Sequence, residues 1–281
     1  MKQEQYERPL IQKLNTGTLN KFGTKTEFIP MTDIEGVPVN KIIKDYGSPV
    51  FVFSEKRIRK NIKDANRAFK TRYPKVQFAW SYKTNYNNAI CNIFHQEGSW
   101  AEVVSGFEYQ KAINNKVPGN KIIFNGPDKS KEDLLLAAKN NSLIHIDHFD
   151  ELYLLAEVLK ENKLKAKVAI RVNMDTGIYP IWDRFGFNFE SNQAWTAISK
   201  IISIPEMVLT GIHCHIGTYM LSTNAYAIAA NKLCSLIDKT FKTYNTQIQY
   251  LDIGGGFASA NTLKGSYLQG GDIIPSVDDY A

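Results

Sequence analysis

Val76-Gln77-Phe78-Ala79-Trp80-Ser81-Tyr82-Lys83-Thr84-Asn85 is the stretch from which the fold can be read. It is a short apolar run, rich in aromatic residues, that ends in one lysine. Runs of this length and composition form buried strands rather than helices, so Lys83 falls at the carboxyl end of a strand. In barrels of alternating strands and helices that edge carries the chemistry. Taken alone, a lysine there is usually a solvated loop cation, and the rest of the chain decides its meaning.

Working outward, Val50 to Phe53 reads as a short strand, and Ser54 as the cap of a helix from Glu55 to Thr71 with Ile58, Ile62, Ala65 and Phe69 near helical spacing. Beyond Lys83, strand patterns recur near 101–104, 121–124, 143–146, 167–172, 208–214 and 249–253. Helical patterns lie between and after them near 88–96, 106–114, 131–140, 149–161, 193–202 and 224–244. Such alternation implies an α/β fold with a parallel sheet, and the count of roughly seven units implies a (β/α)8 TIM-type barrel lacking its last strand. Residues 1–45 are polar and irregular, with extended patches at Glu27-Phe28-Ile29 and Val37-Pro38-Val39, and read as an arm separate from the barrel of residues 46–281. Pro275 to Ala281 reads as a helix start with Ser276 as its cap, as in the larger part of a longer enzyme.

Composition narrows the function. Lysine and arginine outnumber the acids by 34 to 28, a net +6, but the lysines are dispersed along helices, which suits solubility and anionic small molecules rather than nucleic acid. Neither a signal-peptide core nor a membrane-spanning run is expected. Cys91, Cys214 and Cys234 are too few and too far apart for a disulfide framework, so a reducing cytoplasm is expected.

Four clusters fall at the predicted strand ends. Lys83 is the first, and Glu102-Val103-Val104-Ser105-Gly106-Phe107-Glu108 the second, where acids near a helix start ordinarily cap it. The third is Gly211-Ile212-His213-Cys214-His215-Ile216-Gly217-Thr218. Strand periodicity would point His213 and His215 the same way, as a metal pair, a ring platform with a polar neighbour, or core histidines. The fourth, Asp252-Ile253-Gly254-Gly255-Gly256-Phe257, matches neither the dinucleotide fingerprint nor the P-loop. Glycines there let backbone N–H groups approach an anion, and barrel phosphate sites commonly follow strands seven and eight. An amine, an imidazole and a phosphate nest on one rim suit pyridoxal 5'-phosphate, whose aldehyde condenses with an amine and whose phosphate needs an anchor. The rival on the same barrel is a metal-dependent hydrolase using His213 and His215 with His145, Asp147 or His148, although a catalytic zinc wants about three ligands from converging strands.

With Tyr46-Gly47-Ser48-Pro49-Val50-Phe51-Val52, Tyr82-Lys83-Thr84-Asn85, Glu102-Val103-Val104-Ser105-Gly106, Arg184-Phe185-Gly186 and the histidine and glycine motifs in this order, the sequence resembles the pyridoxal-phosphate decarboxylases of the alanine-racemase-like fold. Within them it is most similar to those acting on diaminopimelate and to relatives acting on ornithine and arginine. The resemblance implies that Lys83 carries the cofactor, that His215 stacks on its ring, and that Thr218, Gly254, Gly255 and Gly256 hold its phosphate. It places Glu102, Glu108 and Arg171 around the cofactor and Arg184 near the substrate or the subunit contact, with no metal. It also implies a homodimer when complete and a small amino-acid substrate. The family's Glu-Pro-Gly-Arg motif, whose acid contacts the pyridine nitrogen, does not occur here. Nor does the carboxyl-terminal β-domain, into which residues 1–45 would pack. The expected reaction is decarboxylation, with meso-diaminopimelate to lysine ahead of other diamino acids, of racemisation, and of a homologue that has lost catalysis.

Overall fold

In this computed structural model residues 30–259 and 274–281 are described. They divide into two compact units, one ending at Val52 and the other beginning at Phe53. In the first, β1 (Asp33–Ile34) and β2 (Val37–Pro38) pair antiparallel across Glu35 and Gly36, both at positive φ as a tight hairpin turn requires. Then follows α1 (Val39–Tyr46), ended by Gly47 at φ 83°. An irregular segment up to residue 45 is therefore corrected from Val39 onward. Val39, Ile42 and Ile43 recur at helical spacing within a short span between Pro38 and Gly47. The Glu27-Phe28-Ile29 patch lies outside the described residues. Val50 to Phe53 is also corrected: it forms no strand and pairs with none among the described residues, and Phe51 is 91% exposed. Apolar composition without a ladder partner does not make a strand.

In the second unit, Ser54 accepts the Arg57 N–H at 3.0 Å and starts α2 (Glu55–Arg72). The chain then alternates through β3 (Ala79–Ser81), α3 (Asn88–Gln96), β4 (Trp100–Val103), α4 (Gly106–Asn114), β5 (Ile122–Phe124), α5 (Lys131–Lys139), β6 (Leu143–Ile146), α6 (Phe149–Asn162) and β7 (Ala166–Asn173). A two-residue strand, β8 (Phe187–Asn188), pairs with the end of β7 and had no signal in the sequence. After it come α7 (Gln193–Ile202), β9 (Met207–Cys214), α8 (Thr223–Tyr244), β10 (Tyr250–Asp252) and α9 (Val277–Tyr280). The main path runs β3-β4-β5-β6-β7-β9-β10, every neighbour parallel, so all these strands end on one rim.

The sheet curls. Strands β5 and β9 stand three intervals apart on the path, about 14 Å in a flat sheet. Yet Asn125, just past β5, lies 3.1 Å from His213 of β9. This curl and the seven strands of the main path among the described residues agree with the incomplete TIM-type barrel read from the sequence.

Strand register sorts the side chains. Ile144, Val168 and Leu209 share one row, and Ile146, Ile170, Ile212 and Leu251 the next. These aliphatic rows face the helices, where they join Leu134, Leu152, Leu155, Ile198 and Leu233 in the core. The alternate rows face the inside of the curl and are largely polar: Arg171, His213 and Asp252 in one, His145, Ala169, Gly211 and Tyr250 in the next. Gly211 is required there, because a methyl at its Cα would lie 2.2 Å from the Tyr250 ring.

Two devices hold the second unit's outer layer. α9, capped by Ser276 and Asp279 in a reciprocal box, sets Asp278 3.1 Å from Arg67 and 3.5 Å from Arg72 of α2. On its other side Tyr280 meets the Tyr226 ring of α8 edge-on at 5.8 Å. The second device is buried: Lys129 Nζ, in the loop after β5, donates to the Gly126 and His145 carbonyls and to Glu151 of α6 at 2.6, 2.9 and 2.7 Å. Its side chain is 0% exposed and that of Glu151 2%. Removing one partner strands the other charge, so Lys129→Met is expected to cost about 3 kcal/mol or more in urea unfolding, and Lys129→Met/Glu151→Gln less than the two single changes summed.

Candidate active site

Lys83 is delivered to the rim by a turn. Tyr82 continues the ladder by donating its N–H to the Glu102 carbonyl and is fully buried, its hydroxyl 2.9 Å from His95 and 3.1 Å from Asn115. Thr84 closes the turn by donating both its N–H and its hydroxyl to the Ser81 carbonyl. Between these anchors Lys83 is exposed. Lys83 follows β3, Glu108 follows β4 and His215 follows β9, and the all-parallel order sets all three at one rim, where the lysine charge acts on the other two.

The loops after β9 and β10 press together next to that lysine. A methyl at Gly254 would lie 2.5 Å from the Cys214 carbonyl oxygen and 3.1 Å from His215 Nδ1, and one at Gly256 would lie 2.0 Å from the Gly217 carbonyl oxygen. Gly254 and Gly256 also sit at φ +71° and +90°. A side chain at either position would block the approach, whereas Gly255 faces open space. Asp252 Oδ1 accepts the Gly254 N–H at 2.8 Å, and Tyr226 donates to the Gly255 carbonyl at 2.9 Å. The Gly255 and Gly256 N–H groups make no hydrogen bond to other described residues. The nest therefore offers two free donors rather than the three expected, with exposed Thr218 following Gly217 beside them.

Behind this rim runs a polar row. Ser81 donates to Glu102, and the Asn125 amide donates to Glu102 at 3.2 Å and faces His213 Nε2 at 3.1 Å. His213 Nδ1 in turn lies 3.1 Å from Asp252 Oδ2. Burial alone would raise the Asp252 carboxyl, but His213, His145 and the Gly254 N–H outweigh it and hold the group below the carboxylate range. Burial lowers His215 to about 4, with the Lys83 charge adding to the effect, so its ring is neutral at pH 7. Burial pushes the Glu108 carboxyl up while the Val104 N–H works against it. Arg171 lies 3.5 Å from Asp147 and against the Phe185 ring, and Glu102 acts on its guanidinium. Arg184 is exposed on the loop before β8, and no described contact ties it to the others.

Of the alternatives open for His213 and His215, the metal pair is not what the structure assembles: the clustered ligand atoms include His213 but not His215. β9 ends at Cys214, so His215 lies just past the ladder against Gly254, with buried His213 as its polar neighbour. The other proposed metal ligands are engaged elsewhere: Asp147 with Arg171, and His148 as the cap of α6. His145, His213 and Asp252 do bring one ligand atom each within 4.8 Å of one another. Asn125 Oδ1 accepts the Gly126 N–H, so its amide NH2 faces and occupies His213 Nε2, while His145 Nε2 pairs with the Tyr250 hydroxyl at 3.0 Å. The Nδ1 atoms of both histidines are buried without a hydrogen-bond partner among the described residues and lie 3.1 and 3.9 Å from Asp252 Oδ2.

Sequence reasoning missed Asn125, Tyr226 and Tyr250, and it named His145 only as a ligand in the rival metal reading. Only Asn125 carried a local signal, an Asn-Gly pair at a strand end. The structure brings Lys83, His215, Thr218, Glu102, Glu108, Arg171 and the glycines to one end of the curl. A lysine amine, a neutral imidazole and a backbone anion nest whose Gly254 and Gly256 leave no room for a Cβ match the parts of pyridoxal 5'-phosphate.

Known proteins point the same way. Residues 58–280 match the family model described as pyridoxal-dependent decarboxylase, pyridoxal binding domain. The diaminopimelate decarboxylase of Bacillus subtilis is 30% identical over 236 residues, which are 80% of this chain and 53% of that protein. That of Methanocaldococcus jannaschii is 30% identical over 238 residues, 79% of this chain and 54% of the relative. The chain thus spans about half the length of the curated relatives it matches. The crystal structure of the M. jannaschii enzyme in complex with L-lysine superposes with a TM-score of 0.79 at 28% identity, over 88% of this chain and 58% of that one.

The histidines set an acid limit. Burial also lowers His145, to about 3, with His213 beside it adding to the effect. Below the ordinary value of 6.5 the unfolded chain takes up protons that folded His215 and His145 refuse, so stability falls as pH drops from about 6.5 toward 4. Urea unfolding across that window is expected to show a slope of up to ~1.4 kcal/mol per pH unit for each histidine, and His145→Gln to reduce it.

Proposed function

We propose that this chain, which belongs to the pyridoxal-dependent decarboxylase family, is the cofactor-binding barrel of an enzyme that decarboxylates an amino acid with pyridoxal 5'-phosphate, converting meso-diaminopimelate to lysine. The observation that carries the reading is the meeting of Lys83, His215 and the Gly254–Gly256 loop on one rim, a lysine at one end of the strand path and a glycine nest at the other. The choice of substrate draws on the relatives named as diaminopimelate decarboxylases and on the lysine bound to one of them, since lysine is what diaminopimelate becomes on losing a carboxyl.

When bound, the cofactor supplies an electron sink for the pair released as carbon dioxide leaves. The chain's residues supply attachment and orientation. Lys83 offers the amine that joins the aldehyde, on a turn whose flanks are fixed by Tyr82 and Thr84. His215 offers a neutral ring face, which costs no buried charge at pH 7. Thr218 and the Gly255 and Gly256 N–H groups take the phosphate, and Gly254 supplies the turn rather than a donor. Glu102 and Arg171 border the cofactor, Glu102 positioned by Ser81 and Asn125. Arg184, exposed, is assigned to the substrate side or the subunit contact.

Residues 1–45 are assigned to a β-domain and 46–281 to the barrel. The second compact unit and the family match both begin downstream of residue 45, at 53 and 58, which agrees with an arm outside the barrel. Among the described residues no helix is long and apolar enough to cross a membrane. The free cysteines Cys91, Cys214 and Cys234 support a cytoplasmic setting. A homodimer of the full-length protein is the proposed assembly, on the family resemblance.

Adding pyridoxal 5'-phosphate to the purified protein is expected to produce the visible absorbance of a lysine-bound cofactor, and Lys83→Ala to abolish it. The protein carrying this chain is expected to form lysine and carbon dioxide from meso-diaminopimelate. An unchanged spectrum in the variant would remove Lys83 from the site.

A further inference from the structure

We infer that Tyr226, in the first turn of α8, is the residue that aims the glycine nest at a phosphate dianion. It acts as a positioning residue rather than a ligand. This inference rests on the pyridoxal-phosphate reading of the same site.

Three contacts fix the loop. Asp252 holds the Gly254 N–H, Tyr226 donates to the Gly255 carbonyl at 2.9 Å, and the Met220 N–H donates to the Gly256 carbonyl at 2.9 Å. In a trans peptide the C=O and the following N–H point in opposite directions. The Tyr226 grip on the Gly255 carbonyl therefore turns the Gly256 N–H away from α8. Glycine at φ +90° has little intrinsic preference, so without this anchor the 255–256 peptide could rotate and present its carbonyl to an anion instead.

The hydroxyl is itself well placed. The Tyr226 ring is 6% exposed and packs 5.3 Å from Phe257 and 5.8 Å from Tyr280, which leaves its oxygen little freedom. Burial raises its pKa, so it remains a donor throughout the neutral range.

Tyr226→Phe removes one oxygen and keeps the ring. Equilibrium binding of pyridoxal 5'-phosphate and of pyridoxal, which lacks the phosphate, is measured on the wild-type protein and the variant, with thermal unfolding to confirm that the fold persists. The variant is expected to bind pyridoxal 5'-phosphate about tenfold more weakly and pyridoxal within about twofold of wild type. A second readout is inorganic phosphate competing against pyridoxal 5'-phosphate, expected to weaken in parallel. If both aldehydes weaken equally, or neither changes, the role of Tyr226 is overturned while the cofactor reading stands. If the wild-type protein does not favour the phosphorylated aldehyde, the cofactor reading itself falls, and the nest with it. If Tyr226→Phe does not fold, Asp252→Asn, which keeps an acceptor for the Gly254 N–H, and Asp252→Ala, which does not, make the same comparison. Phosphate selectivity lost only in Asp252→Ala would then support side-chain anchoring of the nest, and its retention in both would overturn it.

Discussion

The contact between Asn125 and His213 is the interaction on which the site depends, because it joins strands that a flat sheet would keep far apart. Through it, Glu102 on one side is linked with Asp252 and the Gly254 N–H on the other. A buried polar row of this kind is favourable only when its members find partners, since an unpaired buried group is costly. Its geometry therefore constrains how tightly the sheet can curl. The curl in turn decides which loops share a rim. The fold and the cradle are consequences of one set of contacts.

The same row explains why a polar interior is tolerated. The aliphatic alternate rows carry the packing against the helices, so the inward rows are free to be arginine, histidine, tyrosine and aspartate. Charge is graded across them. Asp252 stays ionised beside imidazoles, while His215 and His145 stay neutral because burial and neighbouring cations or imidazoles disfavour a proton. A neutral His215 ring against a glycine loop, on the rim that also carries Lys83, is the arrangement that supports the reading proposed for this site.

Much of this was legible in the chain, and the reason is locality. Strand β6 and helices α3, α4 and α7 were bounded by apolar spacing, α3 and α4 also by their caps Asn87 and Ser105, and each lies where its residues placed it. Lys83, His215 and the glycines were readable because each sits at the end of its own strand and parallel strands share an edge. What escaped was nonlocal or conflicted. Helix α1 is short and β-branched, and β8 is two residues on a neighbour's flank. Val50 to Phe53 has strand composition without a partner. Asn125, Tyr226 and Tyr250 acquire meaning only from residues some 23 to 105 positions away. Asp252 was visible as part of a glycine motif, but its hold on Gly254 and its place beside His213 depend on the curl.

The salt bridge between Arg67 and Asp278 spans 211 residues, and it lies where the first helix of the second unit meets its last. Such a contact carries a large loop-closure penalty and is reached only after most of the intervening chain has ordered. Lys83 and the glycine nest belong to the two ends of the strand path. During synthesis the lysine would leave the ribosome well before the nest meant to share its cofactor. On the reading proposed for this rim, a nascent chain arrested before residue 250 would display the Lys83 amine while the glycine loop was still unmade.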